Sequence, residues 1–176
     1  GVTGDAHAQA GIFPDRPVRI VLPTSAGSGV DITARAIAQK LSEVWGQQVV
    51  VDNRAGANGI IGMEMVAKAK PDGYTLLQGF TSALTINPYV YKSLPYDTFR
   101  DYTAITQTAT NTMVLVANPT LPVRSAKDLV ALGKSRPGEL VYASAGIGNL
   151  THLAGELLRV EAGLKVLHVP YKGESP

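Results

Sequence analysis

The stretch Val18-Arg19-Ile20-Val21-Leu22-Pro23-Thr24-Ser25-Ala26-Gly27-Ser28-Gly29-Val30-Asp31 decides how the rest of the chain is read. Its first five residues form an apolar run, rich in β-branched side chains and stopped by a proline, which predicts a buried strand. A loop of small and hydroxyl residues follows. Beyond it Val30, Ala34, Ile37, Leu41 and Val44 recur at steps of four and three, the stripe of a helix laid on a sheet, and Gly46 ends it. Working outward, Gln48 to Val51 predicts a second strand and Gly59 to Ala69 a second helix. The turn Pro71-Asp72-Gly73 then leads into a third strand, Tyr74 to Leu77. Strand, helix, strand, helix, strand in this order demands a parallel sheet covered on both faces, so the expected class is α/β.

The pattern loosens through Asn87-Pro88 and Leu94-Pro95, where a short helix is expected near Thr85 to Tyr91. Tyr102 to Thr108 and Thr112 to Ala117 read as two strands, with a domain boundary between them. That division gives a first lobe over 11–108 and a second over 109–176. Ser125 opens a helix with Asp128 three residues on, a capping box in which Asp replaces the usual Glu, and Arg136-Pro137-Gly138 closes it. Leu140 to Ala143 is a strand, Ser144 to Asn149 a Gly-rich loop, Leu150 to Ala162 a helix and Lys165 to Val169 a strand. The second unit thus repeats the order of the first without repeating its sequence.

Composition narrows the function classes. The 176 residues are 45% hydrophobic and 17% charged with a formal net charge of +2, which fits a folded core and gives little support for nucleic-acid binding. There is no cysteine, so disulfides, thiolate metal sites and a cysteine nucleophile are excluded. Residues 1–10 end in the small-x-small tripeptide Ala8-Gln9-Ala10, expected to be a tag or the remnant of an export signal.

Two loops carry the chemistry, each joining the carboxyl end of a strand to the amino end of a helix. Unpaired amides and the helix dipole attract an anion at such places. The first offers Thr24, Ser25, Ala26, Gly27, Ser28, Gly29 and Asp31, with Gly27 and Gly29 free to take positive φ. The second offers Ser144, Ala145, Gly146, Gly148, Asn149, Thr151 and His152. Neither contains Lys or Arg. Such a pair suits a small carboxylate held by main-chain and hydroxyl donors. Asp31 has two readings: a first-turn acid paired with Arg35 one turn on, or an acceptor for a ligand amine or hydroxyl.

The alternative is a nucleotide- or dinucleotide-binding α/β enzyme domain using Gly27-Ser28-Gly29, with Asp52 at the end of the second strand as the ribose acid. It meets obstacles in detail. Ile32 stands where the third glycine belongs, and Asp31 puts a negative charge where pyrophosphate would sit. No Walker A ending exists, and the three histidines, His7, His152 and His168, make no metal-ligand spacing. Ser144 with His152 or His168 lacks a Gly-x-Ser-x-Gly elbow. No enzyme, no metal and no cofactor is therefore expected.

Taken together, Phe13-Pro14-Asp15-Arg16-Pro17, the loop Ala26 to Ile32, Val49 to Ala57, Pro71 to Leu77, Ile86-Asn87-Pro88, Leu94 to Asp97, Tyr142 to Glu156 and His168-Val169-Pro170-Tyr171-Lys172-Gly173 resemble the extracytoplasmic receptors of tripartite tricarboxylate transporters, the Bug family. The resemblance implies a periplasmic binding protein of type II, two lobes with mostly parallel sheets flanked by helices, closing on a carboxylated solute and passing it to membrane permease subunits. It also implies that Thr81 and Ser82 join the two loops at the ligand. Ser28 and Val30 depart from the family pattern, which points to a different ligand preference. Family chains continue well past the motif ending at Gly173, so the resemblance further implies a chain truncated on its C-terminal side and, through uncovered edges, self-association.

Overall fold

The computed structural model describes residues 13–173; the expected tag or signal remnant over 1–10 lies outside them. Strand β1 (Val18–Leu22) is central to a three-stranded sheet of order β2-β1-β3, with β2 (Val49–Asn53) and β3 (Thr75–Leu77) both parallel to it. Both faces of β1 are covered, as an apolar parallel strand requires. Val18, Ile20 and Leu22 pack with Ala34 and Ala38 of helix α1 (Gly29–Trp45) and with Val49, while Val21 is buried as well. Each such side chain taken from water is worth about 1.5–3 kcal/mol, so this strand anchors the first unit. Helix α1 ends where expected, on Gly46 at φ 64°.

The second helix is shorter than its sequence suggests. A 3-10 turn (Ala57–Gly59) precedes α2 (Ile60–Ala67), because Asn58 adopts φ 52° and breaks the helical path. Gly62 sits where a Cβ would lie 2.9 Å from the Pro23 Cα and 3.0 Å from the Arg54 carbonyl oxygen, so α2 lies directly on the chain leaving β1. The short helix expected near Thr85 starts earlier. A π-helical turn (Ser82–Ile86) runs into α3 (Asn87–Val90), and Met63, Ala83 and Tyr96 form a second core beneath it.

The two strands expected at Tyr102 to Thr108 and Thr112 to Ala117 are not formed. This stretch has neither helix nor strand, and every residue from Thr103 to Thr120 is exposed. A β-branched sequence becomes a strand only where another strand completes its hydrogen bonds, and no described strand lies beside it. Helix α4 (Ala126–Ser135) then opens on the expected cap: the Ser125 hydroxyl accepts from the Asp128 amide at 3.1 Å. The Asp128 carboxylate accepts from the Arg124 amide at 3.0 Å, one residue before the cap, which holds its pKa below the usual range.

The second unit comprises β4 (Val141–Ser144) and β5 (Leu167–Pro170), paired in parallel, with α4 and α5 (Leu150–Glu161). Its core is thin. Leu164 is buried against Gly133 and Leu140, but Val141, Leu157, Val160 and Leu167 are all exposed and α5 buries no residue completely.

Candidate ligand-binding site

The first loop runs from β1 to α1. Ser28 caps α1, its hydroxyl accepting from the Asp31 amide at 3.3 Å and donating to the Thr24 hydroxyl at 3.1 Å. Gly27 takes φ 81°, which aims its amide at the Asp31 carboxylate, 2.9 Å away. Gly29 is instead the first residue of α1, without a positive φ. Asp31 is buried and also accepts from Arg35 Nε at 3.0 Å and Asn53 Nδ2 at 2.9 Å, while Arg35 Nη2 donates to Asn53 Oδ1 at 2.9 Å. The Arg35 bond, with help from the Gly27 amide and Asn53, outweighs burial and holds the Asp31 pKa at about 2. Its carboxylate is thus engaged in holding the loop, which favours the reading of Asp31 as a partner of Arg35. The same contact weighs against the dinucleotide alternative: it engages the Gly27 amide and sets a buried negative charge where a pyrophosphate would sit. Ala26 is exposed and Ser25 half-buried.

The second loop runs from β4 to α5 with the same logic and neutral parts. Asn149 caps α5, its side-chain oxygen accepting from the Thr151 amide and hydroxyl, both at 3.1 Å. The Thr151 hydroxyl accepts from the Ala145 amide at 2.9 Å, and His152 Nδ1 accepts from the Gly148 amide at 3.2 Å. Ser144 is buried at the end of β4; its hydroxyl lies 2.6 Å from His168 Nε2 and accepts from the Gly146 amide at 3.2 Å. Gly146 has φ 135°, and a Cβ on it would lie 3.2 Å from the Tyr171 carbonyl oxygen.

The fold seats the second loop on the first unit. Ser82, at the head of the π-helical turn and buried, accepts from the Leu150 amide at 3.0 Å. Asn58 Nδ2 donates to the Gly148 carbonyl at 3.3 Å. Gly173 donates to the Ala145 carbonyl at 3.1 Å and comes against the first loop, a Cβ on it lying 3.2 Å from the Ser25 hydroxyl. Thr81, by contrast, is exposed, and its carbonyl accepts from the Thr85 hydroxyl at 2.8 Å. Among the described residues, the Gly29 and Val30 amides of α1 and the His152 amide of α5 take no hydrogen-bond partner, the donors that a helix start leaves over. A surface hollow of about 250 Å³, lined by Pro88, Tyr91, Lys92 and Leu94 among others, shares no residue with either loop.

Several contributors were not singled out as site residues in the sequence. Asn58, Asn87 and Tyr96 form a buried chain behind the Gly148 contact: Asn58 Nδ2 donates to Asn87 Oδ1 at 2.6 Å, Asn87 Nδ2 to Tyr96 Oη at 3.2 Å, and Tyr96 to the Ala83 carbonyl at 2.7 Å. The Asn58-Gly59 pair was the available signal, since Asn before Gly marks a left-handed turn. Asn53 and Arg35 gave no signal beyond the spacing of Arg35 from Asp31. The Ser144–His168 contact does not make a nucleophile. His168 stacks between Tyr142 at 4.7 Å and His152 at 4.3 Å, and among the described residues no carboxylate bonds its other nitrogen.

Residues 33–176 match the family model described as tripartite tricarboxylate transporter family receptor. The chain belongs to that family. It is 45% identical over 164 residues to the UPF0065 protein in the tcbD-tcbE intergenic region of Pseudomonas sp., covering 93% of this chain and 48% of that one. It is 38% identical over 172 residues to protein BugT of Bordetella pertussis, covering 97% of this chain and 53% of BugT. Among solved structures, one described as a periplasmic transporter superposes with a TM-score of 0.88 at 38% identity, covering 93% of this chain and 55% of that one. An R. palustris protein solved with adipate gives 0.81 at 36% identity, covering 92% and 54%. MatC from Rhodopseudomonas palustris with bound malate gives 0.75 at 28% identity, covering 92% and 55%. The chain therefore spans about half the length of the curated relatives it matches. Fold and family are those of periplasmic solute-binding proteins, which are not enzymes.

Proposed function

We propose that this receptor-family chain captures a small carboxylate in the periplasm and delivers it to the permease subunits of a tripartite tricarboxylate transporter. The observation that supports this most is the seating of the second strand-to-helix loop on Ser82 and Asn58 of the first unit, with Gly173 bonded to it and lying against Ser25 of the first loop, and no lysine or arginine in either loop. Two strand-to-helix loops of this kind offer amides and hydroxyls to an anion. The adipate and malate in two similar structures are of the matching chemical class. The first loop and Ser82 fall in a lobe over 11–108 and the second loop in a lobe over 109–176, so a bound carboxylate favours their approach by touching both.

A thermal-shift screen of carboxylates and neutral sugars tests the reading. Dicarboxylates such as adipate and malate are expected to raise the melting temperature, because a ligand that binds only the folded chain stabilises it. A neutral sugar as the best ligand would refute the anion argument. The exposed Val141, Leu157, Val160 and Leu167 support a second element of the proposal, self-association through the second unit. Light scattering on a size-exclusion column is expected to give more than one chain per particle; a clean monomer would overturn it.

A further inference from the structure

We infer that His168 is a positioning residue for the carboxylate, taking up a proton when the ligand binds and thereby turning the Ser144 hydroxyl into a donor aimed at the anion. This rests on the carboxylate reading above and adds to it the origin of positive charge in a cradle without basic side chains.

Hydrogen-bond capacity at the Ser144 hydroxyl is limited. The Ser144 oxygen has one proton and two lone pairs, and one lone pair is taken by the Gly146 amide. If His168 Nε2 lacks a proton, the 2.6 Å contact can form only with Ser144 donating, so the hydroxyl has no proton left for a ligand. If Nε2 carries a proton, His168 donates, both lone pairs are filled and the Ser144 O–H is free. The nearest alternative acceptor is the Gly146 carbonyl, at a long 3.4 Å. The neutral ring with its proton on Nε2 reaches this second state as well. The doubly protonated imidazole holds it whichever tautomer the neutral ring adopts and adds a charge opposite to that of the ligand, which is what favours proton uptake when an anion binds.

The surroundings select His168 over its neighbour. His152, stacked 4.3 Å away on α5, uses Nδ1 to accept from the Gly148 amide, so protonating it there would break the loop's own bond. Two stacked imidazolium rings would also repel. Tyr142 of β4 covers the other face, with its hydroxyl donated to Glu156 Oε1 at 2.7 Å, and Glu156 in turn pairs with Arg159. Among the described residues, these are the titratable and charged groups facing His168 from β4 and α5. Burial above all, and then His152, push the free imidazole below its ordinary value, with Glu156 pulling the other way. A carboxylate at Ser144 pulls it back up, so affinity rises as pH falls toward the value of the free imidazole. Each unit of upward shift corresponds to about tenfold in affinity between the two pH limits.

Titration calorimetry of adipate into the chain near neutral pH, in two buffers of different ionisation enthalpy, tests this. The expected result is a heat that depends on the buffer, reporting net proton uptake, and loss of that dependence in His168→Gln. In parallel, the His168 ring resonances of the unaltered chain, followed by NMR against pH, should titrate at higher pH with adipate present, a readout that stands even where the variant does not fold. Adipate binding with no buffer dependence and an unmoved His168 titration would overturn the inference and leave the carboxylate reading intact. Absence of binding by adipate and by malate would overturn both.

Discussion

Replacing Asp31 by Asn tests the main electrostatic claim about the first loop. The side chain is buried and accepts from the Gly27 amide, Arg35 Nε and Asn53 Nδ2, the first two on Oδ2 and the third on Oδ1. A carboxamide of the same shape has one oxygen for these two sides, so either orientation sets its NH2 against a donor. The depressed pKa gives the size. A fall from 3.8 to about 2 corresponds to about 2.4 kcal/mol at 1.36 kcal/mol per unit, which half-exposure of Arg35 reduces to about 1–2 kcal/mol. The sign follows from proton counting. Between the two pKa values the unfolded chain binds more protons than the folded one, so the stabilisation is complete above the unfolded value and disappears as pH falls toward 2. Urea denaturation of both proteins at neutral pH, repeated in steps through the acid range, should show the variant less stable by that amount, with the two curves converging in acid. A variant within about 0.5 kcal/mol of the parent at neutral pH, with a parallel acid limb, would refute the assignment of Asp31 as the residue that holds this loop.

Further outcomes are expected elsewhere in the fold. Gly62→Ala should lose about 1–3 kcal/mol in denaturant melts, because its Cβ meets the main chain at Pro23 and Arg54, which cannot swing aside. Asn87→Ala removes partners from Asn58 and Tyr96 in a fully buried position and should cost about 2–3 kcal/mol by the same measurement. Ser82→Ala leaves the Leu150 amide unpaired across the junction; adipate affinity by calorimetry should fall several-fold, and an unchanged constant would argue against this contact having a part in binding. Gly155→Ala would drive a methyl into the Tyr142 ring, which is fixed by Glu156 and by stacking on His168, and should broaden or shift the His168 ring resonances.

What the sequence made legible is what local chemistry determines. Strand β1 shows as an apolar run with a proline stop, α1 as a stripe from Val30 ended by Gly46, and the cap of α4, Ser125, as a side chain that can accept from a helix start. Each of the two loops lies at the carboxyl end of a parallel strand, β1 or β4, and the second touches Ser82 and Asn58 of the first unit. What stayed hidden is non-local. Val114, Leu115 and Val116 have strand composition, but strand formation depends on a partner that periodicity does not reveal. Asn87 and Tyr96 belong to a chain of bonds that starts 29 residues earlier at Asn58, and no spacing rule connects them.

The two helix starts explain why neither loop contains a basic residue. Each presents about half a positive charge through its amides, so it favours an anion beside it without a fixed cation. On α1 that field is already partly spent, since Asp31 lies in its first turn with its charge compensated by Arg35 and Asn53. On α5 no acid occupies the first turn; Asn149 caps it with a neutral oxygen, and His152 and His168 stand behind. On the proposed function, a carboxylate would find its stronger attraction on the second unit and its rigid wall on the first, where the core is deep and the loop is fixed by a buried charge. Stability and affinity are divided between the halves on this arrangement: substitutions around Asp31 should act mainly on melting, and those around Ser144 mainly on binding.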